Sequence, residues 1–188
     1  MMKIGITGSL ASGKTTASKI LSFKRGPLFS ADKAVKQIYL NKSFKSLLSK
    51  KFNIPNNVQI KKSLKKKILL NKKKISKLEK IVHPLVRKKM KKFILKNRRK
   101  KILFYEIPLL IESNLMKYFD LIIFIKAKKK IRIKRFELKH GNKKLFNFLN
   151  SKQIVDKKKI KFCDYVVVNE KNLNVLKYKL LDIINRYE

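Results

Sequence analysis

The sequence contains very little cysteine, and it has no long apolar run. Cys163 is the only cysteine among 188 residues, which excludes an intramolecular disulfide and favours a reducing compartment. The longest apolar run, residues 121–125, has the length of a strand and falls far short of a membrane helix. An apolar segment at residues 3–7 leaves no room before it for a secretory signal. These shortages predict a cytoplasmic protein with no membrane partner.

Acidic residues are also scarce. The chain has 11 Asp and Glu against 51 Lys and Arg, a formal net charge of +40. Such a balance is typical of nucleic-acid-binding proteins, but those proteins usually concentrate their basic charge on one element. Here lysine is spread over almost every segment while alanine, glycine and proline are scarce, as expected from drift under A/T-rich coding. We therefore predict no specific nucleic-acid partner, although the charge should attract anionic ligands.

The length and the apolar content of the chain limit the possible fold classes and the number of domains. With 188 residues and 44% apolar content, the chain suits one compact α/β domain with an inserted or appended subdomain. Such a chain can bury a sizeable core, and a monomer is the favoured state.

The most informative segment is residues 8–15, which read GSLASGKT. This matches the phosphate-binding loop pattern of two glycines followed by Lys and Thr, and it lies between a predicted strand (3–7) and a predicted helix (16–21). In such a loop, backbone N–H groups and a helix N-terminus hold polyphosphate. Lys14 can then reach the β- and γ-phosphates, and the Thr15 hydroxyl can bind Mg²⁺.

Alternating strands and helices follow along the chain. This order predicts an α/β fold with a five-stranded parallel sheet flanked by helices, similar to the P-loop NTPases, with a helical insertion and a lid. The predicted strands are residues 3–7, 27–30, 102–107, 121–125 and 166–168, and the predicted helical segments are 31–40, 41–99, 128–135 and 172–187, with a break at 140–142.

Several further segments resemble one family. The chain is similar to the dephospho-coenzyme A kinases, which carry out the last step of coenzyme A synthesis. The resemblance covers most of the chain and rests on the phosphate-binding loop, Ser30-Ala31-Asp32, residues 78–87 (LEKIVHPLVR), residues 106–112 (EIPLLIE) and residues 163–169 (CDYVVVN). The loop alone would be unspecific, whereas the His-Pro and Pro-Leu-Leu segments in this order are specific.

The resemblance implies an ATP-dependent kinase with dephospho-CoA as the acceptor and Mg²⁺ as the metal, bound by Thr15. It implies a nucleotide-binding core at 1–40, 101–127 and 161–188, an acceptor-binding region at 41–100 and a lid at 128–160. The ATP-binding residues expected from it are Gly8, Ser9, Leu10, Ala11, Ser12, Gly13, Lys14, Thr15, Thr16, Arg132 and Asn169.

Asp32 is the candidate general base. It follows the second predicted strand, at the carboxyl edge where open α/β sheets bind ligands. From its position alone, a helix-start carboxylate favoured by the helix dipole is an equally good interpretation. The resemblance implies that Asp32 accepts the proton of the ribose 3′-hydroxyl of dephospho-CoA.

Four more residues are expected at the acceptor. The resemblance implies contacts from His83, Pro84, Arg87 and Glu112, and a guanidinium such as that of Arg87 suits a pyrophosphate. Taken without the resemblance, a lone histidine such as His83 is more often a structural or surface residue than a ligand. Arg87 could instead lie on a solvated helix face, and Glu112 could be a carboxylate at a helix start.

Arg132 and Arg135 lie three residues apart on a predicted helix, so they should share a face. In a kinase this region lays cations over the phosphates of ATP, and Arg135 is the candidate for stabilising the transferring phosphoryl group. Asn169 should lie at the end of the last strand near the adenine, although asparagine is also common in ordinary turns.

The chain departs from the family pattern at several positions. Ser30 stands where the family has the first Asp of a pair, Glu106 replaces a frequent Asp, and Lys139 and Leu149 replace frequent arginines. Because the loop and Asp32 remain, we expect activity.

Two alternatives stay open at this point. A kinase for another nucleoside or nucleotide would keep the loop and the lid without needing residues 83–87. An RNA-binding module that depends on nucleotide would follow from the charge, but it should show clustered aromatic residues for stacking. Phenylalanines such as Phe104 and Phe124 lie instead in apolar, core-like settings.

Overall fold

The structure, a computed structural model, describes residues 1–55, 60–68 and 71–187. The side chains of residues 61, 65, 66, 68, 72 and 140 are not part of this description. The described chain forms two compact units, one of Met1–Ser30 with Asn97–Glu188 and the other of Ala31–Lys96. We describe each unit by itself.

The first unit is built on a five-stranded sheet of order β2-β3-β1-β4-β5, in which all neighbouring strands are parallel. This confirms the predicted fold class. The strands are β1 (Met2–Gly8), β2 (Leu28–Ser30), β3 (Ile102–Glu106), β4 (Leu121–Lys126) and β5 (Tyr165–Val168). The helices of this unit are α1 (Lys14–Ser22), α6 (Lys129–His140), α7 (Lys143–Ser151), α8 (Asp156–Ile160) and α9 (Leu173–Ile184), with a 3₁₀ turn at Met116–Tyr118.

The central strands read as nearly continuous apolar runs because both faces of the sheet are covered. Strand β3 is buried at every position, and β4 is exposed only at Lys126. One face forms a core with α1 and α9, where Ile6, Leu21 and Leu180 are fully buried. This packing sets the carboxyl ends of β1, β3 and β4 side by side, since Ile6 pairs with Glu106 and Gly8 with Ile125.

Local capping signals account for several helix ends. The predicted break at residues 140–142 is confirmed: Gly141 ends α6 with a φ of 67°, and the Asn142 side chain caps α7 by accepting from Leu145 N. The predicted closing helix is confirmed over Leu173–Ile184, where Asn172 accepts from Val175 N. Asparagine at an N-cap satisfies a backbone donor that the first helical turn leaves open.

The second unit is helical. It consists of α2 (Ala31–Ile38), α3 (Lys42–Phe52), α4 (Ile60–Ile68) and α5 (Lys72–Lys96). Phe44, Leu48, Phe52 and Val82 belong to one apolar cluster that unites these helices. Pro84 lies inside α5, where it lacks the N–H that would bond the carbonyl of residue 80. Within the described ranges, no helix is both long and apolar enough to cross a membrane.

Candidate nucleotide-binding site

The phosphate-binding loop joins the end of β1 to the start of α1. Gly8 ends the strand with a φ of 148°, and Gly13 stands at the N-cap of α1 with a φ of 99°. Both values are unfavourable for residues with a side chain. A Cβ at Gly13 would also overlap the side-chain amide of Asn169. The glycines are therefore required by backbone conformation and by space.

Lys14 opens α1, and its ammonium group is turned back onto the loop. The side chain is only 9% exposed, and Nζ donates to the carbonyl of Ser9 at 2.7 Å. The positive charge is thus held beside the loop and the helix N-terminus, where polyphosphate is expected to bind.

A carboxylate lies next to Thr15. The Thr15 hydroxyl donates to Glu106 Oε1 at 2.5 Å, and Glu106 is 3% exposed at the carboxyl end of β3. Glu106 was not among the site residues predicted from the sequence, where it stood out only as a departure from the family pattern. An acidic residue that ends a buried strand was the available signal, but the pairing of β3 with β1 was needed to place it.

Arg135 and Asn169 both contact the loop at Ser12. The Asn169 side-chain amide donates to the Ser12 carbonyl at 2.8 Å. Arg135 Nη1 donates to the carbonyls of Ser12, at 3.4 Å, and of Asn169, at 3.1 Å. The structure thus brings together three of the predicted site residues, with Asn169 bonded to the loop itself.

Arg132 has a different environment from Arg135, although the two are three residues apart. It is 7% exposed, its Nε donates to the Ala127 carbonyl, and its Nη1 donates to the Leu10 carbonyl and to Asn150 Oδ1. Burial lowers the pKa of this guanidinium, and the nearby Asp156 carboxylate partly offsets the effect. Its described hydrogen-bond partners are neutral oxygens, and one of them, the Leu10 carbonyl, belongs to the phosphate-binding loop.

The connection between α7 and α8 and the first residue of α8 also contact the loop. Gln153 Oε1 accepts from Leu10 N at 3.0 Å, and Asp156 Oδ1 accepts from the Ser9 hydroxyl. The sequence analysis selected neither residue. No local pattern marks them, because each contact spans more than 140 residues of chain.

Glu112 is paired with a buried lysine. Lys159 Nζ lies 2.6 Å from Glu112 Oε1, and the Lys159 side chain is fully buried. The same carboxylate oxygen accepts from Ile154 N at 3.2 Å. The buried Glu112 Oε2 has no hydrogen-bond partner among the described residues. A charge buried in this way is costly unless it is paired, so this ion pair fixes α8 against the loop after β3.

The remaining predicted residues belong to the helical unit. Asp32 is exposed in the first turn of α2, and Arg87 is exposed on α5. His83 is half-buried four residues before Arg87, so the two share a helix face, while Pro84 is exposed.

A hydroxyl and a carboxylate among the described residues suit a divalent cation beside the loop. No cluster of three or more His, Cys, Asp or Glu side chains that could hold a metal occurs in the part of the chain that the structure describes. Thr15 and Glu106 nevertheless offer a hydroxyl and a carboxylate next to each other. Mg²⁺ commonly binds one or two protein oxygens together with water and substrate phosphates, so this donor set fits it.

Comparisons with known proteins agree with this geometry. The chain matches the family model described as dephospho-CoA kinase over residues 2–174. It is 36% identical to a dephospho-CoA kinase of Bartonella quintana, covering 98% of this chain and 97% of that protein. It is 33% identical to one of Fusobacterium nucleatum, covering 94% of this chain and 93% of that protein.

Solved structures show the same fold. A crystal structure from Thermus thermophilus superposes with a TM-score of 0.81 at 22% identity, covering 100% of this chain and 98% of that one. A dephospho-CoA kinase from Campylobacter jejuni gives a TM-score of 0.70 at 24% identity, covering 98% of this chain and 96% of that one.

Proposed function

The chain belongs to the dephospho-CoA kinase family, and we propose that it transfers the γ-phosphate of ATP to the ribose 3′-hydroxyl of dephospho-CoA. Membership makes it an ATP-dependent kinase of coenzyme A biosynthesis. The observation that carries the proposal is the family match over residues 2–174, which includes a loop with the backbone geometry of a phosphate site.

We propose that the loop and its neighbours bind the phosphates of ATP. The backbone N–H groups of the loop and the N-terminus of α1 provide donors and a positive dipole end. Lys14 contributes a charge that can move from the Ser9 carbonyl to a phosphate oxygen. Arg135, held at Ser12 and Asn169, is the proposed cation for the transferring phosphoryl group, since its fork-shaped guanidinium suits phosphate.

We propose that Thr15 and Glu106 hold Mg²⁺ together with the nucleotide. A bound Mg²⁺ would neutralise phosphate charge and orient the β- and γ-phosphates. Within the protein, Glu106 orients the Thr15 hydroxyl through their hydrogen bond and keeps a negative charge beside it.

Glu106→Gln is expected to raise the Mg²⁺ concentration needed for half-maximal activity by about tenfold and to lower turnover. Glutamine keeps an oxygen that can accept from Thr15 but loses the charge that attracts the cation. A tenfold change in affinity corresponds to about 1.4 kcal/mol. Magnesium titrations of the activity at fixed ATP measure the change. Asp182→Asn, which alters an exposed carboxylate on α9 paired with Arg186, is the matched control. An unchanged magnesium requirement would remove Glu106 from the metal site.

The acceptor residues are proposed from the family resemblance. Asp32 would accept the proton of the attacking 3′-hydroxyl, and it is exposed in the first turn of α2. His83, Pro84 and Arg87 would contact dephospho-CoA, with Arg87 at its pyrophosphate. The contact of Glu112 with the acceptor likewise stays a prediction.

The acceptor is tested by measuring phosphate transfer from ATP across dephospho-CoA, adenosine, uridine and nucleoside monophosphates. We expect dephospho-CoA to be used with the highest kcat/KM by a wide margin. A higher kcat/KM for another nucleoside or nucleotide would replace the proposal with the alternative kinase.

We propose that the excess positive charge does not form a specific nucleic-acid site, because lysines are spread over both units. RNA binding should then be weak, insensitive to sequence and lost steeply with salt. For roughly six phosphate contacts to a single strand, affinity should fall by a few hundredfold between about 50 and 200 mM salt. ATP affinity should fall less, because its phosphates are enclosed by loop N–H groups.

Fluorescence anisotropy with several unrelated RNA oligomers, beside an ATP titration at both salt concentrations, measures this difference. Tight binding of one oligomer over the others at the higher salt would favour the RNA-binding module. We also propose that the protein is cytoplasmic, because a single cysteine fits a reducing compartment, and that it is a monomer.

A further inference from the structure

The phosphate-binding loop makes hydrogen bonds with residues 153–156 as well as with Asn169. Gln153 accepts a hydrogen bond from the N–H of Leu10, and Asp156 accepts one from the hydroxyl of Ser9. Neither residue belongs to the nucleotide-binding or acceptor-binding sets described above. Both contact the first half of the loop, before Gly13 and Lys14.

We infer that Gln153 and Asp156 are positioning residues that set the conformation of the phosphate-binding loop for the nucleotide. The inference rests on the proposed function for its ligand, a nucleoside triphosphate. It assigns to residues 153–156 a role in ATP affinity, exerted through Ser9 and Leu10 rather than by contact with the phosphates.

The contacts of Leu10 and Ser9 explain how such positioning would work. The N–H of Leu10 is bonded to Gln153, and its carbonyl accepts from Arg132 Nη1 at 3.3 Å. Both polar backbone groups of Leu10 are therefore used within the protein, so phosphate would bind other N–H groups of the loop. Ser9 is 1% exposed, and its carbonyl accepts from the Lys14 ammonium at 2.7 Å. The hydrogen bond to the Ser9 hydroxyl therefore also fixes the Ser9 carbonyl, which holds the Lys14 ammonium.

The connecting segment is itself anchored on both sides. Before it, Asn150 Oδ1 accepts from Arg132 at 2.7 Å. Within it, Ile154 N donates to Glu112 Oε1, and after it the buried Lys159 is ion-paired with the same oxygen. A partner that is rigid in the free protein loses little entropy when ATP binds, so the loop is pre-organised and the nucleotide binds more tightly.

Asp156 acts here by its hydrogen bond and not by its charge. A carboxylate beside a phosphate site repels the ligand, so a purely electrostatic role would oppose ATP binding. The charge of Asp156 does support the protonated form of Arg132, but that guanidinium is positive in any case at neutral pH. Asp156→Asn keeps an oxygen that can accept from Ser9 and removes the charge, which separates the two effects.

The test compares the parent protein with Gln153→Ala, Asp156→Ala, Asp156→Asn and the surface control Asp182→Asn. ATP affinity is titrated without acceptor, KM is measured for ATP and for dephospho-CoA, and thermal unfolding is recorded for each protein. We expect Gln153→Ala and Asp156→Ala each to weaken ATP affinity and raise the ATP KM by about fivefold to tenfold, the effect of one lost hydrogen bond. In both variants the KM for dephospho-CoA should change by less than about twofold. The ATP affinity of Asp156→Asn should stay within about twofold of the parent's.

A double-mutant cycle with Ser9→Ala adds a second readout. Because Ser9 and Asp156 share one hydrogen bond, Ser9→Ala should weaken ATP affinity to a similar degree, and the double variant should be no weaker than either single one. This cycle remains informative if Gln153→Ala does not fold.

Three results would overturn the inference. The first is an ATP affinity of folded Asp156→Ala within about twofold of the parent. The second is equal weakening by Asp156→Asn and Asp156→Ala. The third is an equal rise of both KM values together with a lower unfolding temperature, as a general structural defect would produce. If the parent failed to phosphorylate dephospho-CoA, the proposed function would fail, while the ATP titration would still decide the inference.

Discussion

Lys14→Ala is expected to abolish phosphoryl transfer while leaving the fold intact. The ammonium lies at the start of α1, held by the Ser9 carbonyl and beside the loop N–H groups. Its loss removes the charge that stabilises the γ-phosphate as negative charge develops during transfer. Removing one preorganised donor from such a site lowers turnover on the order of 10²–10³-fold, and a full positive charge should cost at least as much.

The fold should survive because Lys14 is not part of the apolar core beneath α1, which includes Ala17 and Leu21. Turnover with ATP and dephospho-CoA, together with thermal unfolding, measures both parts of the expectation. Lys19→Ala is a matched control, since it removes an exposed lysine from the same helix. Near-normal turnover in a folded Lys14→Ala protein would exclude the loop as the site of phosphoryl transfer.

Asp32→Asn should reduce turnover far more than it weakens ATP binding. Asparagine keeps the shape of the side chain but accepts no proton, and loss of a general base costs on the order of 10²-fold or more. In the first turn of α2 the substitution also removes a favourable charge at the helix N-terminus, a loss of about 0.3–1 kcal/mol in unfolding free energy. That loss is too small to unfold a protein of this size.

Single-turnover rates and ATP titrations separate the two effects for Asp32→Asn. Asp182→Asn, a substitution of the same kind on the surface of α9, supplies the comparison. If turnover of Asp32→Asn stays within a few-fold of the parent, Asp32 serves only the helix start and another group accepts the proton.

Local patterns predicted much of the fold and the centre of the site. The strand, loop and helix around Gly8, Gly13 and Lys14 follow one another in the chain, so a short motif specifies them. The break at residues 140–142 was equally readable, because capping residues act within one helical turn. The first helix was predicted from residue 16, but it begins at Lys14, since the N-cap is the loop glycine itself.

Arg132 and Arg135 show the limit of such patterns. Their spacing predicts a shared helix face and a shared role at the phosphates. In the structure, the Arg132 guanidinium is buried against the carbonyls of Leu10 and Ala127, whereas Arg135 reaches Ser12 and Asn169. Periodicity places a residue on a face, but the neighbouring elements decide what its side chain meets.

The family, the phosphate-binding loop and the order of strands and helices were predictable from the amino-acid sequence, because they depend on contiguous motifs and on local periodicity. Tertiary structure alone decided which groups hold the loop: Glu106 at Thr15, Gln153 at Leu10 and Asp156 at Ser9. These partners lie between 91 and 147 residues from the loop along the chain. They meet it only because parallel pairing sets β3 beside β1 and because the buried Lys159–Glu112 pair anchors α8, and neither arrangement leaves a local mark in the sequence.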